Sequence, residues 1–178
     1  MRSAMQLMDI DKQTYRKNTN LVIMGFVASL AILALVFGAL LIQLFGAPPS
    51  ASGESTGNFH LNLIGVILAL AVCSAVLNSQ KQKPFLKEVY YVWQLKQLHN
   101  QIYRKLAKIK QAADSNDQTA FIILSFYFAS LKQVYTLDDN TLTLATVDSD
   151  LNQLNEKIAA LGLTITPEQF DPQMLEQI

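Results

Sequence analysis

Two long runs without Asp, Glu, Lys or Arg lie close together in this chain, and nothing else in it constrains the fold as strongly. Residues 21–45 read LVIMGFVASLAILALVFGALLIQLF and residues 59–77 read FHLNLIGVILALAVCSAVL. As a helix rising ~1.5 Å per residue, the first is ~38 Å long. That is enough to cross the ~30 Å hydrocarbon core of a bilayer with some tilt. The second is shorter, with His60 and Asn62 at its start, where they can reach interfacial water. A cleaved signal peptide fits poorly, because the first apolar core exceeds the usual ~7–15 residues and a second run follows. Burying both runs inside a soluble fold would require a chain much longer than 178 residues.

The segment between them, GAPPSASGESTGN (46–58), has neither Lys nor Arg. Arg2, Lys12, Arg16 and Lys17 precede the first run, and Lys81, Lys83 and Lys87 follow the second. Cytoplasmic flanks of membrane spans accumulate such residues, so both termini are expected in the cytoplasm and the loop outside. Pro48, Pro49, Gly53 and Gly57 suit a flexible connection between antiparallel helices. The expected division is a cytoplasmic segment 1–20, a transmembrane helix 21–45, an external loop 46–58, a second transmembrane helix 59–77 and a cytoplasmic helical domain 78–178.

Small residues recur at intervals of four on both spans. Gly25 and Ser29, then Ala34 and Gly38, lie on the first; Gly65, Ala69 and Cys73, with Asn62 on the same side, lie on the second. Such faces let helix backbones approach closely in lipid, so these eight residues are the expected packing surface of the hairpin or of a dimer. Cys73 is the only cysteine, which excludes an internal disulfide and a cysteine-based metal cluster; within an apolar run it reads as a small hydrophobe.

Beyond residue 78 the only glycine is Gly162, so no glycine-rich phosphate loop exists there. Pro84 can open a helix reaching about Ala113, with a stripe of Val92, Leu95, His99, Ile102, Leu106 and Ile109. DSND (114–117) reads as a turn with Asn116 or Asp117 as cap. AFIILSFYFASL (120–131) reads as a central core helix. Val147, Leu151, Leu154, Ile158 and Leu161 mark another helix, capped by Asp148 or Ser149 and ended by Gly162. TLTLATV (141–147) alternates like a strand that LTIT (163–166) could pair with, and helix or strand stays open there. Thr166-Pro167 and Asp171-Pro172 each read as a cap followed by a first helical residue. The expected fold class is therefore all-α: a transmembrane helical hairpin followed by a cytoplasmic bundle of three main helices plus short terminal turns.

Charge is balanced overall but not along the chain. Residues 1–112 carry twelve Lys/Arg against four acids, and residues 113–178 carry two against ten. The zero net charge gives no bulk attraction to nucleic acid. Arg16, Lys17, Lys81, Lys83 and Lys87, with Tyr90, Tyr91 and Trp93, suit an interface with anionic lipid headgroups; the aromatic residues can equally be core.

No catalytic constellation emerges. His60 and His99 fall on opposite sides of the expected membrane, so they share no metal site. Ser/His chemistry would need His99 beside Ser125 or Ser130, for which the sequence gives no support. Asp138–Asp139 and Asp148/Asp150 read as caps at helix starts, where the helix dipole favours acids. No ionisable group lies within either span core, where transport routes usually need one. The reading is a non-enzymatic module without metal, cofactor or identifiable small-molecule substrate, whose partners are membrane lipid and a protein or a second copy. The alternative is an accessory subunit of a transport or envelope-assembly complex.

The segments DKQTYRKNTN, NFHLNLIGVILAL, EVYYVWQLKQ and NQIYRKLAKIK resemble a family of small uncharacterised bacterial membrane proteins, known only as a domain of unknown function. The resemblance covers most of the chain. It implies a bacterial inner membrane, and it supplies no activity and no functional residues.

Overall fold

Asp11 starts the first helix: its carboxylate accepts the backbone N–H of Thr14 at 2.8 Å and thereby satisfies an otherwise orphaned helix-start donor. Helix α1 (Lys12–Phe45) therefore begins nine residues ahead of the apolar run, through a stretch free of Gly and Pro. The remaining helices are α2 (Phe59–Gln80), α3 (Pro84–Asp114), α4 (Gln118–Asp138) and α5 (Thr141–Ala160), followed by two 3-10 turns, Pro167–Gln169 and Pro172–Glu176. The structure, a computed structural model, describes residues 7–47 and 57–178; Arg2, Pro48, Pro49 and Gly53 lie outside them. Among the described residues the fold is all-helical, with no strand.

The chain forms two compact units, and the boundaries cut through helices. One gathers the N-terminal residues up to Arg16 with Glu88–Ile178; the other is Lys17–Lys87.

In the Lys17–Lys87 unit, α1 and α2 form a hairpin. Helix α2 buries Leu61, Gly65, Ala69 and Cys73, spaced by four along one face. Most other apolar side chains point outward: Leu35 is 76% exposed, Leu44 70% and Ile67 57%. Asn58 ties the two facing helix ends together. Its amide oxygen accepts from the Ala47 N–H at 3.0 Å and its amide nitrogen donates to the Ala47 carbonyl at 3.1 Å.

The other unit is built around α4. Phe121, Ile123, Phe126 and Ser130 of this helix are fully buried, as are Val92, Leu95, Ile102 and Ile109 of α3. Asp117 caps α4 by accepting from Ala120 N–H at 2.9 Å. Phe170, which follows the first 3-10 turn, stacks on Phe126 with ring centroids 4.2 Å apart and anchors the C-terminal tail.

The open question at 141–147 resolves as helix, and the strand alternative is overturned. Leu144, Val147, Leu151, Leu154 and Ile158 continue one apolar stripe in a single helical phase, while Leu142 is 92% exposed. The expected cap at Asp148 or Ser149 is displaced by the same finding, because α5 starts at Thr141 with Asn140 before it. Asp148 lies inside the helix and pairs with Lys132 at 2.7 Å.

Three helix ends use one device. Asn116, Asp139 and Gly162 adopt φ values of 64°, 63° and 66°. The next residue's N–H then reaches back five positions, from Asp117 to Ala112, Asn140 to Tyr135 and Leu163 to Ile158. This is the Schellman ending, which glycine adopts without strain and Asn and Asp tolerate.

Candidate functional sites

The hairpin brings only part of the expected packing surface together. A Cβ built on Gly65 would lie 2.6 Å from the backbone nitrogen of Gly38 and 2.9 Å from its Cα. Backbone meets backbone here, and no other residue fits at position 65. At Gly38 a Cβ would meet the Asn62 side-chain oxygen at 2.6 Å, so Asn62 sits at the same crossing. Ala69 is buried and Ala34 half-buried. Towards the other end the helices part. Gly25 has nothing within 4 Å of its Cβ position, Gly25 and Ser29 are exposed, and both line an apolar cleft together with the buried Cys73.

The basic and aromatic residues also divide. Within the hairpin unit Lys17, Lys83 and Lys87 are exposed and Lys81 half-buried, with its ammonium donating to Asn78 at 3.0 Å. In the other unit, Tyr90 and Trp93 stack with centroids 5.5 Å apart, and Trp93 is 53% exposed. Tyr91 turns inward instead. It is buried, its hydroxyl accepts from the Met8 N–H at 3.1 Å, and burial raises its pKa above the usual phenol value.

Arg16 enters a charged clasp that fastens the N-terminal segment to the end of α4. Lys12 reaches Asp139 at 2.6 Å and Arg16 takes the other carboxylate oxygen. The Tyr15 hydroxyl donates to Asp138 at 3.1 Å, and Lys96 pairs with Asp138 at 2.6 Å. Gln133 donates to the Met8 carbonyl beside them. Asp138 and Asp139 thus sit at a helix C-terminus, and the expectation that they favour a helix start is corrected. The dipole there disfavours acids, and the three cations offset it. Hydrogen bonds from Lys12 and then Arg16 hold the Asp139 carboxyl below its usual range. Sequence inspection missed this pairing; its trace was the basic-first, acidic-last charge distribution.

At His99 two residue types used in catalysis meet. Its Nε2 lies 2.7 Å from the Ser130 oxygen, and the Tyr127 ring packs edge-on at 5.8 Å. Both residues are buried. The Ser130 hydroxyl donates its one proton to the Tyr127 carbonyl at 3.1 Å. When that proton is so placed the imidazole donates to Ser130, and in the other tautomer it accepts from it. Burial, and secondarily Lys96, lowers the His99 pKa to about 4, so the ring is neutral at physiological pH. The pair is a satisfied core hydrogen bond. Among the described residues no group of His, Cys, Asp and Glu can hold a metal ion.

The model of a family described as "Protein of unknown function (DUF3087)" matches residues 5–175. No curated protein and no solved structure matches the chain.

Proposed function

The chain belongs to that family of unknown function, and on this premise we propose that it is a two-span protein of the bacterial inner membrane. Both termini face the cytoplasm, and the hairpin anchors a helical domain that docks a protein partner or a second copy. One observation carries the reading. The most apolar stretches of α1 and α2 are only 6% and 22% buried within the protein, although both helices are long and apolar enough to cross a bilayer. Exposed apolar surface on that scale needs hydrocarbon or a partner to cover it. Helix α4 also has the length and composition of a span, but 67% of its apolar stretch is buried in its own unit. It is the core of the docking domain and stays out of the membrane.

The test is a pair of fusions to the full chain. A reporter active only in the cytoplasm is expected to work at Ile178, and an alkaline phosphatase inserted after Ala47 is expected to work outside. The opposite pattern, or full release of the chain by alkaline extraction, overturns the anchoring. In-cell crosslinking through the helical domain should trap a partner or a dimer. The second reading, an accessory subunit working through its spans, rests on the exposed flanks of the hairpin. It predicts that Leu at Gly65 and Ala69 abolishes the assembly's activity, whereas the docking reading predicts that changes on the helical domain do so.

A further inference from the structure

The two helices of the hairpin touch at one level and separate at another, and the space they leave has a definite size. Between Gly25 and Ser29 of α1, Cys73 and Val76 of α2, and Phe85 and Leu86 at the start of α3 lies a cleft of about 340 Å³ with an apolar lining. All six residues belong to the Lys17–Lys87 unit. The cleft exists because Gly38 and Gly65 hold the helices in backbone contact further along, while Gly25 and Ser29 extend too little to fill the gap.

A cleft in hydrocarbon does not stay empty, since its lining would forfeit dispersion contacts. An open apolar cleft can take an acyl chain or the side chains of a neighbouring helix, and charge separates the two. Lys17 stands one turn before the cleft-lining Leu21, and Lys81 and Lys83 lie between the cleft-lining Gln80 and Phe85. The only acid in residues 17–87 is Glu54, in the loop between the spans. Lysines next in the chain to the lining of an apolar slot match a phosphate joined to an acyl chain.

We propose that this cleft seats one acyl chain of an anionic phospholipid, with its phosphate among Lys17, Lys81 and Lys83. The inference rests on the membrane anchoring proposed above.

The full chain is reconstituted with phosphatidylglycerol carrying a photoreactive diazirine at mid-chain, in parallel with the phosphatidylcholine equivalent, and adducts are mapped by mass spectrometry. One phosphatidylglycerol per chain is expected, attached within residues 21–33 or 72–86. Gly25→Phe or Ser29→Phe should lower the adduct at least tenfold; two separate variants guard against one failing to insert. The double variant Lys17→Gln/Lys83→Gln should erase the preference for phosphatidylglycerol while leaving some labelling by both lipids. Equal labelling of the filled variants and wild type overturns the proposal, as does equal labelling by both lipids in wild type. A chain that alkaline extraction releases overturns the anchoring and this inference together. A chain that stays in the membrane without the adduct overturns this inference alone.

Discussion

Gly65 of α2 lies so close to Gly38 of α1 that a single methyl group would reach 2.6 Å from a backbone nitrogen. This crossing sets the spacing of the hairpin. Gly65→Ala should destabilise the hairpin by about 1–3 kcal/mol, as overpacking of a closely fitted site does. Gly25→Ala, with open space at its Cβ position, should change it by no more than a few tenths of a kcal/mol. Unfolding titrations in mixed detergent micelles distinguish the two.

The His99–Ser130 pair predicts a pH dependence with a definite sign. The folded-state pKa of His99 is depressed to about 4, against ~6.5 for an unfolded histidine. Between those values the unfolded chain binds a proton that the folded chain refuses, so stability falls as pH drops from about 6.5 towards 4. The full effect is on the order of 3 kcal/mol. His99→Leu should flatten this slope even if it lowers stability at neutral pH. Denaturation midpoints measured at pH 8 and pH 5 read it.

Asp139 serves two purposes, and three substitutions separate them. Asp139→Asn tolerates positive φ but loses the charge, so its melting temperature should fall at low salt and approach wild type in high salt. Asp139→Ala should fall at both, because a side chain with a Cβ and no local hydrogen bond is strained there. Asp139→Gly should fall less than Asp139→Ala. The depressed carboxyl adds that the clasp persists above the ordinary Asp pKa and is lost as pH drops through the lower folded-state value.

Phe170 is 1% exposed and stacked on Phe126. Phe170→Ala should cost about 3–5 kcal/mol and expose the C-terminal tail to limited proteolysis. The cleavage pattern should start after residue 160 and leave the hairpin intact.

The contrast between α4 and α5 explains what could be read from residue order alone. AFIILSFYFASL is too short to span as read, and its saturation with apolar residues already demanded burial on every side. Gly162 and Asp117 announced their helix ends through their chemistry. TLTLATV did not, because Leu142 and Leu144 fit a period of two and only the position of Val147 relative to later leucines fixes a helical phase. The clasp was hidden for a different reason. Lys12 and Asp139 are 127 positions apart, and charge pairing over such a distance leaves no local signature. The small-residue faces were visible as spacing, but which glycine touches a backbone and which faces empty space depends on how the two helices splay.

Tyr15 is 3% exposed, and the carboxylate its hydroxyl meets comes 123 residues later. Translation delivers Tyr15 123 residues before Asp138. The segment around Tyr15 must wait, undocked, while both apolar helices leave the ribosome, until Asp138 and Asp139 emerge to receive it. The clasp therefore closes only after both helices of the hairpin have been made. A fragment expressed from Glu88 onward would have the site for Tyr15 but nothing to fill it.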